Sequence, residues 1–304
     1  PVFGVYHFTR KELLEYAYRK AELALQDAVE KKAFYAFYDD AEQKNQLEIQ
    51  EEEEHFKDAL LFDEFIMYFQ PKFSTINKEL TGCEALVRWN FRGKEMLSPD
   101  KFIPILENNG RINRLDEYVF NRVCEYQSKW KKQGLPLVPV SVNLSKASLF
   151  RSEIVERYCA KIKKAGLNMS DIQIEVTETM VSSGANISEL LNKFRNHGIK
   201  ILMDDFGTGF TALSTLNLKC FDTLNMDKRL VDGIEEDFGR RLLSSIIEMS
   251  QKLGYYITAE GVENENQYEF LKSTECNDIQ GFYFSRPVPA EEFEKILQLQ
   301  NVKY

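Results

Sequence analysis

From about residue 64 onward, short apolar runs alternate with longer segments whose apolar residues recur at helical spacing. IMYFQPKFS (66–74) and ELTGCEALVRW (79–89) read as two strands joined by a polar turn. Helical patterns follow at 99–107 and 114–133, then the buried-strand run PLVPVSVNLS. Helix 151–165, strand DIQIEVTE, helix 187–197, strand IKILMDD and a short helix after Gly209 come next. Strand DTLNMD, helix 238–253, strand YYITAEGV, helix 264–273, strand DIQGFYFS and a helix at 290–299 complete the series. Strands alternating with helices predict a parallel sheet, and this number of units in about 240 residues fits a closed, TIM-like (β/α)8 barrel of the α/β class. A doubly wound open sheet is the alternative. It would concentrate chemistry at one switch point, whereas here polar residues close many different strands.

The first sixty residues follow another rhythm. VFGVYHF (2–8) and AFYAFYDD (33–40) read as strands around a helix at 10–31, with Thr9 as its N-cap and an apolar stripe through Leu14, Ala17, Ala21, Leu25 and Ala28. A highly charged helix then carries the acid run Glu51 to Glu54, which reads as a solvated face. This segment is a short α+β fragment with a linker helix, and too small for an independent domain. The chain starts at Pro1 without an initiator Met, which reads as a piece of something longer.

Composition narrows the class. A net charge of −9 gives no broad attraction toward nucleic-acid polymers or anionic membranes. The five cysteines are odd in number and lack CxxC spacing, which favours reduced thiols and a cytoplasmic location. No apolar run approaches the roughly 20 residues that span a bilayer, so no membrane contact is expected from this segment.

The polar residues that end the strands carry the chemistry. They are Glu84, Asn143, Glu175, Asp204, Asp205, Asp227, Glu260, Glu263 and Gln280. Any one of them is more simply an N-cap for the following helix; their joint occurrence points to one oxygen-lined mouth. Period-two geometry puts Glu84, Leu86 and Arg88 on one strand face, and Asn225 with Asp227 on another, so Lys228 points away from Asp227. Carboxylates with an Asn amide are a hard-oxygen set suited to Mg2+ or Mn2+. The three histidines, His7, His55 and His197, lie away from these strand ends, which argues against a zinc or iron site. The adjacent Asp204 and Asp205 could serve a pair of ions about 3.5–4 Å apart that clamp a phosphodiester. The glycines of GTGFTA (207–212) follow two aspartates that would repel a pyrophosphate, so they read as the hinge of a mobile loop and not as a dinucleotide cradle.

These residues resemble the EAL domain, the bacterial phosphodiesterase module that linearises cyclic di-GMP. The match rests on Glu84-Ala85-Leu86 with Arg88, Asn143-Leu144-Ser145, Glu175-x-Thr177-Glu178, Asp204-Asp205-Phe206-Gly207, Glu260-Gly261-Val262-Glu263 and Gln280-Gly281, in family order. The resemblance implies a barrel over 63–304 whose first strand runs antiparallel, a linker helix at 41–62, and at 1–40 the C-terminal fragment of a GGDEF-like domain without its signature. It implies that Glu84, Asn143, Glu175 and Asp204 hold one Mg2+ or Mn2+, while Asp204, Asp205 and Glu260 serve a second ion and the attacking water. Gln70 and Arg88 would contact the nucleotide, Asp227, Glu263 and Gln280 would complete the pocket, and Glu178 would steady the loop after Phe206. Hydrolysis of cyclic di-GMP to linear pGpG, a homodimer and an upstream GGDEF or sensor region belong to the same implication. Active members carry a lysine two residues before Asp227, where this chain has Asn225. A missing cation there predicts turnover slowed by about 10²–10⁴, or a degenerate receptor for the same ligand.

Overall fold

The structure, a computed structural model, describes residues 1–7, 14–182, 187–207, 216 and 219–301. The expected Thr9 cap, the glycine hinge beyond Gly207 and the short helix after Gly209 fall outside them. The chain divides into two compact units, Pro1–Asp58 and Ala59–Tyr304.

In the first unit β1 (Phe3–Val5) pairs in parallel with β2 (Tyr35–Phe37), and α1 (Leu14–Glu30) makes the crossover between them. Gly4 lets helix and strand touch, since a Cβ there would lie 2.0 Å from the Ala21 carbonyl oxygen. The buried face of α1 is Ala17, Ala24 and Ala28, while Leu14 and Leu25 are exposed. The stripe therefore sits rotated from the expected one, because only small side chains fit against the strands. α2 (Asp40–Leu61) follows.

The second unit is the barrel. In chain order its elements are β3 (Phe65–Ser74), β4 (Leu80–Phe91), β5 (Glu95–Leu97), α3 (Pro99–Asn108), α4 (Ile112–Lys132), β6 (Val140–Asn143), α5 (Lys146–Leu149) and α6 (Ile154–Lys164). Then come β7 (Ile172–Thr177), α7 (Glu178–Ser182), α8 (Ile187–Asn196), β8 (Lys200–Phe206), β9 (Thr223–Met226), α9 (Lys228–Asp232) and α10 (Asp237–Lys252). The series ends with β10 (Tyr256–Ala259), α11 (Glu265–Ser273), β11 (Asp278–Gln280), β12 (Val288–Pro289) and α12 (Ala290–Asn301). Strands β4, β6, β7, β8, β9, β10 and β11 pair in parallel in that order, and β3 closes the ring by pairing antiparallel with both β4 and β11. The result is the closed eight-stranded barrel that the sequence pattern predicts, with the antiparallel first strand that the family resemblance implies. β5 and β12 flank it as short additions too brief to show a period.

Alternation along each strand builds two environments. On β7, Ile172, Ile174 and Val176 are buried on the helix side, and equivalent positions on other strands are Val140, Val142, Ile201, Met203, Leu224, Ile257 and Ile279. Each such side chain contributes about 1.5–3 kcal/mol when fully buried. The alternate positions face inward and are polar, among them Ser141, Glu175, Thr223, Asn225, Thr258, Asp278 and Gln280, all of them buried. A polar barrel interior is costly unless its groups satisfy one another. How they do so defines the site.

Candidate active site

Across the antiparallel pair, Gln70 on β3 lies directly opposite Glu84 on β4. Gln280 Nε2 donates to Glu84 Oε2 at 2.7 Å and to Gln70 Oε1 at 3.0 Å, while Gln70 Nε2 donates to the Ser285 carbonyl at 3.3 Å. Asn143 Nδ2 donates to Glu84 Oε1 at 2.8 Å. One strand further, Glu175 Oε1 receives Asn225 Nδ2 at 2.8 Å and, from the far side of the barrel, Lys72 Nζ at 2.8 Å. Lys72 also reaches Ser141 Oγ at 3.4 Å. Direct hydrogen bonds thus join four of the expected site residues (Gln70, Glu84, Asn143 and Gln280) in one group and Glu175 with Asn225 in another.

Asp204, Asp205 and Glu260 join them through charge. Burial, then Glu175 and Glu84, push the Asp204 carboxyl well above its ordinary range. Burial, then Asp204 and Glu84, do the same to Glu260. Glu84 is raised to about 7, first by burial and next by Glu175, against the opposing pull of Lys72. The carboxylates therefore destabilise each other's charged forms, which is the electrostatic state of a cluster built around cations. Glu175 Oε2 and Asn225 Oδ1 are buried without a hydrogen-bond partner. Among the described residues, no three His, Cys, Asp or Glu side chains already stand in ligating geometry. Both oxygens of Glu84 are instead held by amide donors.

Adjacent aspartates on a regular strand would face opposite sides. Here the pairing of β8 with β9 shifts between Met203 and Phe206, and Asp205 adopts φ +58°, a left-handed conformation that a β-carbon disfavours. The bulge turns Asp205 toward Asp227, with which it shares a side-chain hydrogen bond; burial first, and then the charge of Asp227, raise the Asp205 carboxyl. Sequence periodicity carries no sign of this kink.

Other expected residues stand farther out. Asp227 caps α9, accepting from Arg229 backbone N at 2.8 Å and Arg229 Nε at 2.7 Å. Glu263 pairs with Lys228 at 2.8 Å, both side chains about half exposed, 45% and 44%. Arg88 donates to the Val87 carbonyl at 2.9 Å with its guanidinium 5.7 Å from the Tyr68 ring centroid, and has no ion-pair partner among the described residues. Glu178 Oε2 accepts the Gly207 backbone N–H at 3.2 Å. Gly281, next to Gln280, lets the backbone of Val262 approach; a Cβ at 281 would lie 2.1 Å from the Val262 carbonyl oxygen. That contact ties the Glu260 strand end to the Gln280 strand end.

Lys72 is the residue that sequence reading missed. Its signal was present: a charge two positions after Gln70 in an otherwise apolar strand shares the Gln70 face. Burial opposes its charge, but Glu175, Glu260 and Glu84 together more than offset that, raising its pKa above the ordinary lysine value. Below it the barrel floor holds a cavity of about 160 Å3 lined by Thr81, Gln173, Lys200, Thr223, Tyr256 and Asp278 among others.

Residues 53–287 match the family model described as the EAL domain. The cyclic di-GMP phosphodiesterase NbdA of Pseudomonas aeruginosa is 34% identical over 250 residues, covering 81% of this chain and 32% of that protein. The oxygen sensor protein DosP of Escherichia coli is 32% identical over 238 residues, covering 78% of this chain and 30% of that protein. Among solved structures, the PaMucR phosphodiesterase in its c-di-GMP complex superposes with a TM-score of 0.75 at 29% identity, covering 81% of this chain and 99% of that one. The EAL enzyme Bd1971, in its form with cAMP and cyclic-di-GMP bound, gives 0.78 at 27% identity, covering 91% and 74% respectively. The chain spans about a third of the length of the curated relatives it matches.

Proposed function

The chain belongs to the EAL-domain family, and on that premise we propose that it hydrolyses cyclic di-GMP to linear pGpG with the help of Mg2+ or Mn2+, two ions per site. The observation that carries this reading is the acid layer of buried Glu84 and Glu175 with half-buried Asp204 and Glu260. Burial and the neighbouring carboxylates raise Glu84, Asp204 and Glu260, and Glu175 Oε2 lacks a partner among the described residues. An all-oxygen, mutually repelling, buried set fits hard divalent cations. A half-turn of the Asn143 amide would present its Oδ1 to the same space and release Glu84 Oε1.

In this reading Glu84, Asn143, Glu175 and Asp204 hold one ion, and Asp204, Asp205 and Glu260 hold the other. Bound there, the ions would polarise a phosphodiester oxygen and lower the pKa of water. Glu260, whose carboxyl interacts with that of Asp204, accepts the proton of the attacking water. The water oxygen bonds to phosphorus in line with the departing sugar oxygen, whose bond to phosphorus breaks and which takes its proton from solvent water, while Glu260 returns the one it accepted to solvent. Arg88 at the rim pairs with a non-bridging phosphate oxygen, and Gln70 and Gln280 set the floor beneath it. Asp227 and Glu263 bound the outer pocket. Glu178, through Gly207, orients the loop that follows.

Residues 1–40 are proposed to be the end of a GGDEF-like domain, for which the parallel β–α–β arrangement of the first unit speaks. A homodimer, an upstream sensory region and a cytoplasmic location complete the proposal. A second reading, a receptor that binds cyclic di-GMP without turning it over, draws on the neutral, fully buried Asn225 and on the amide-held oxygens of Glu84. Incubation with cyclic di-GMP and Mn2+, followed by chromatography, separates the two. Linear dinucleotide supports the enzyme, and intact bound ligand supports the receptor.

A further inference from the structure

Lys72 enters the barrel interior from β3, where its cross-strand neighbours are Gly82 and Gln280. Its ammonium and the Asn225 amide both contact one oxygen, Glu175 Oε1, each at 2.8 Å. The other oxygen of that carboxylate, Oε2, is buried and without a partner. One oxygen is thus clamped by two donors from two strands, and the second stays available to a cation.

Resting on the phosphodiesterase reading above, we infer that Lys72 is a positioning residue of the active site: with Asn225 it locks Glu175 in ligating orientation and supplies the fixed positive charge beneath the acid layer. The charge is delivered from the antiparallel strand, across the barrel from position 225. Asn225 contributes a hydrogen bond to the same oxygen but no charge, so the two residues divide between them what one lysine could do. Lys72 reaches the acid layer from below and acts through Glu175, not on the nucleotide. Partners that orient a metal-ligating carboxylate govern metal affinity nearly as strongly as the ligand itself.

Mn2+ titration calorimetry on the whole chain tests this, with circular dichroism melts to establish folding. Lys72→Met is expected to weaken Mn2+ binding by about 10–100-fold, and to lower kcat for cyclic di-GMP with KM little changed. Lys72→Gln retains a donor without the charge and is expected to stay weak. The double variant Lys72→Met/Asn225→Lys is expected to regain most of the affinity and rate, because its lysine reaches the same oxygen from β9. Asn225→Lys alone gains nothing, since two ammonium groups then compete for one oxygen. If Lys72→Met does not fold, Lys72→Gln carries the comparison. Wild-type Mn2+ affinity in either Lys72 variant, no recovery in a folded double variant, or a gain in Asn225→Lys alone overturns the inference. Absence of any linear product from the wild type would overturn the phosphodiesterase reading alone, because the Mn2+ titrations still decide the role of Lys72.

Discussion

Lys72 and Glu175 form a 2.8 Å ion pair across the barrel interior, with side chains only 5% and 0% exposed. Two charges are stable there because each satisfies the other and Asn225 adds a third hydrogen bond. The pair therefore couples stability to the site. Glu175→Gln leaves a buried ammonium short of its main partner and is expected to cost about 3–5 kcal/mol in urea unfolding. The double variant Lys72→Met/Glu175→Gln should be more stable than Glu175→Gln alone, because no buried charge is left unpaired. Equal losses in the single and double variants would mean that packing, and not the ion pair, sets the cost.

The raised acids make stability and metal binding depend on pH. Glu84 titrates at about 7 in the folded chain, above its ordinary value of 4.5. The folded state then binds a proton that the unfolded chain has already lost. Its stabilising contribution is present below the ordinary value and disappears as pH rises through the folded one. Asp204 and Glu260 shift in the same direction. Scanning calorimetry without divalent ions should show melting temperature falling as pH rises across this window. Added Mn2+ should stabilise more at the upper end, releasing protons as it binds. A pH-independent Mn2+ effect would contradict the charge state assigned to the cluster.

Asp227 offers a separation of two roles. As the cap of α9, its loss in Asp227→Ala is expected to cost about 1 kcal/mol. Asp227→Ser keeps a capping oxygen and removes the charge beside Asp205. If Asp227 also bounds the nucleotide pocket, both variants should raise KM, and only Asp227→Ala should lower the melting temperature. A KM unchanged in Asp227→Ser would leave it a cap alone.

Gly281 is required for space. Gly281→Ala must move the Val262 carbonyl, which lies 2.1 Å from the position of the added carbon. An overpacked site of this kind typically loses about 1–3 kcal/mol. The displacement should also carry Gln280 away from Glu84 and lower turnover. A melt and a rate measurement on the same preparation check both.

Much of this architecture was legible in the sequence because it follows from periodicity. Alternating runs such as IQIEVTE and TLNMD place apolar side chains outward and polar ones inward, and the order of elements with polar residues at many strand ends then favours a closed barrel over an open sheet. The polar strand ends were legible for the same reason: Asn143 and Gln280 both bond Glu84, and Asn225 bonds Glu175. What periodicity could not carry was anything set by a break in it. The bulge at Asp205 depends on one left-handed residue, and the capping of α9 by Asp227 depends on where the strand stops. Lys72 was hidden differently. Its β-carbon lies below the site, and only the length of its side chain brings the charge to Glu175, a distance that strand spacing does not encode.

Under the proposed function this acid layer works as a metal-dependent phosphodiester site. A time course of cyclic di-GMP with the wild-type chain and Mn2+, followed by chromatography beside chelator-treated protein and Glu84→Ala, tests it most directly. The account predicts pGpG appearing with Mn2+ in the wild type, and none with chelator or in Glu84→Ala. Tight binding of cyclic di-GMP with no linear product at any Mn2+ or Mg2+ concentration would contradict it.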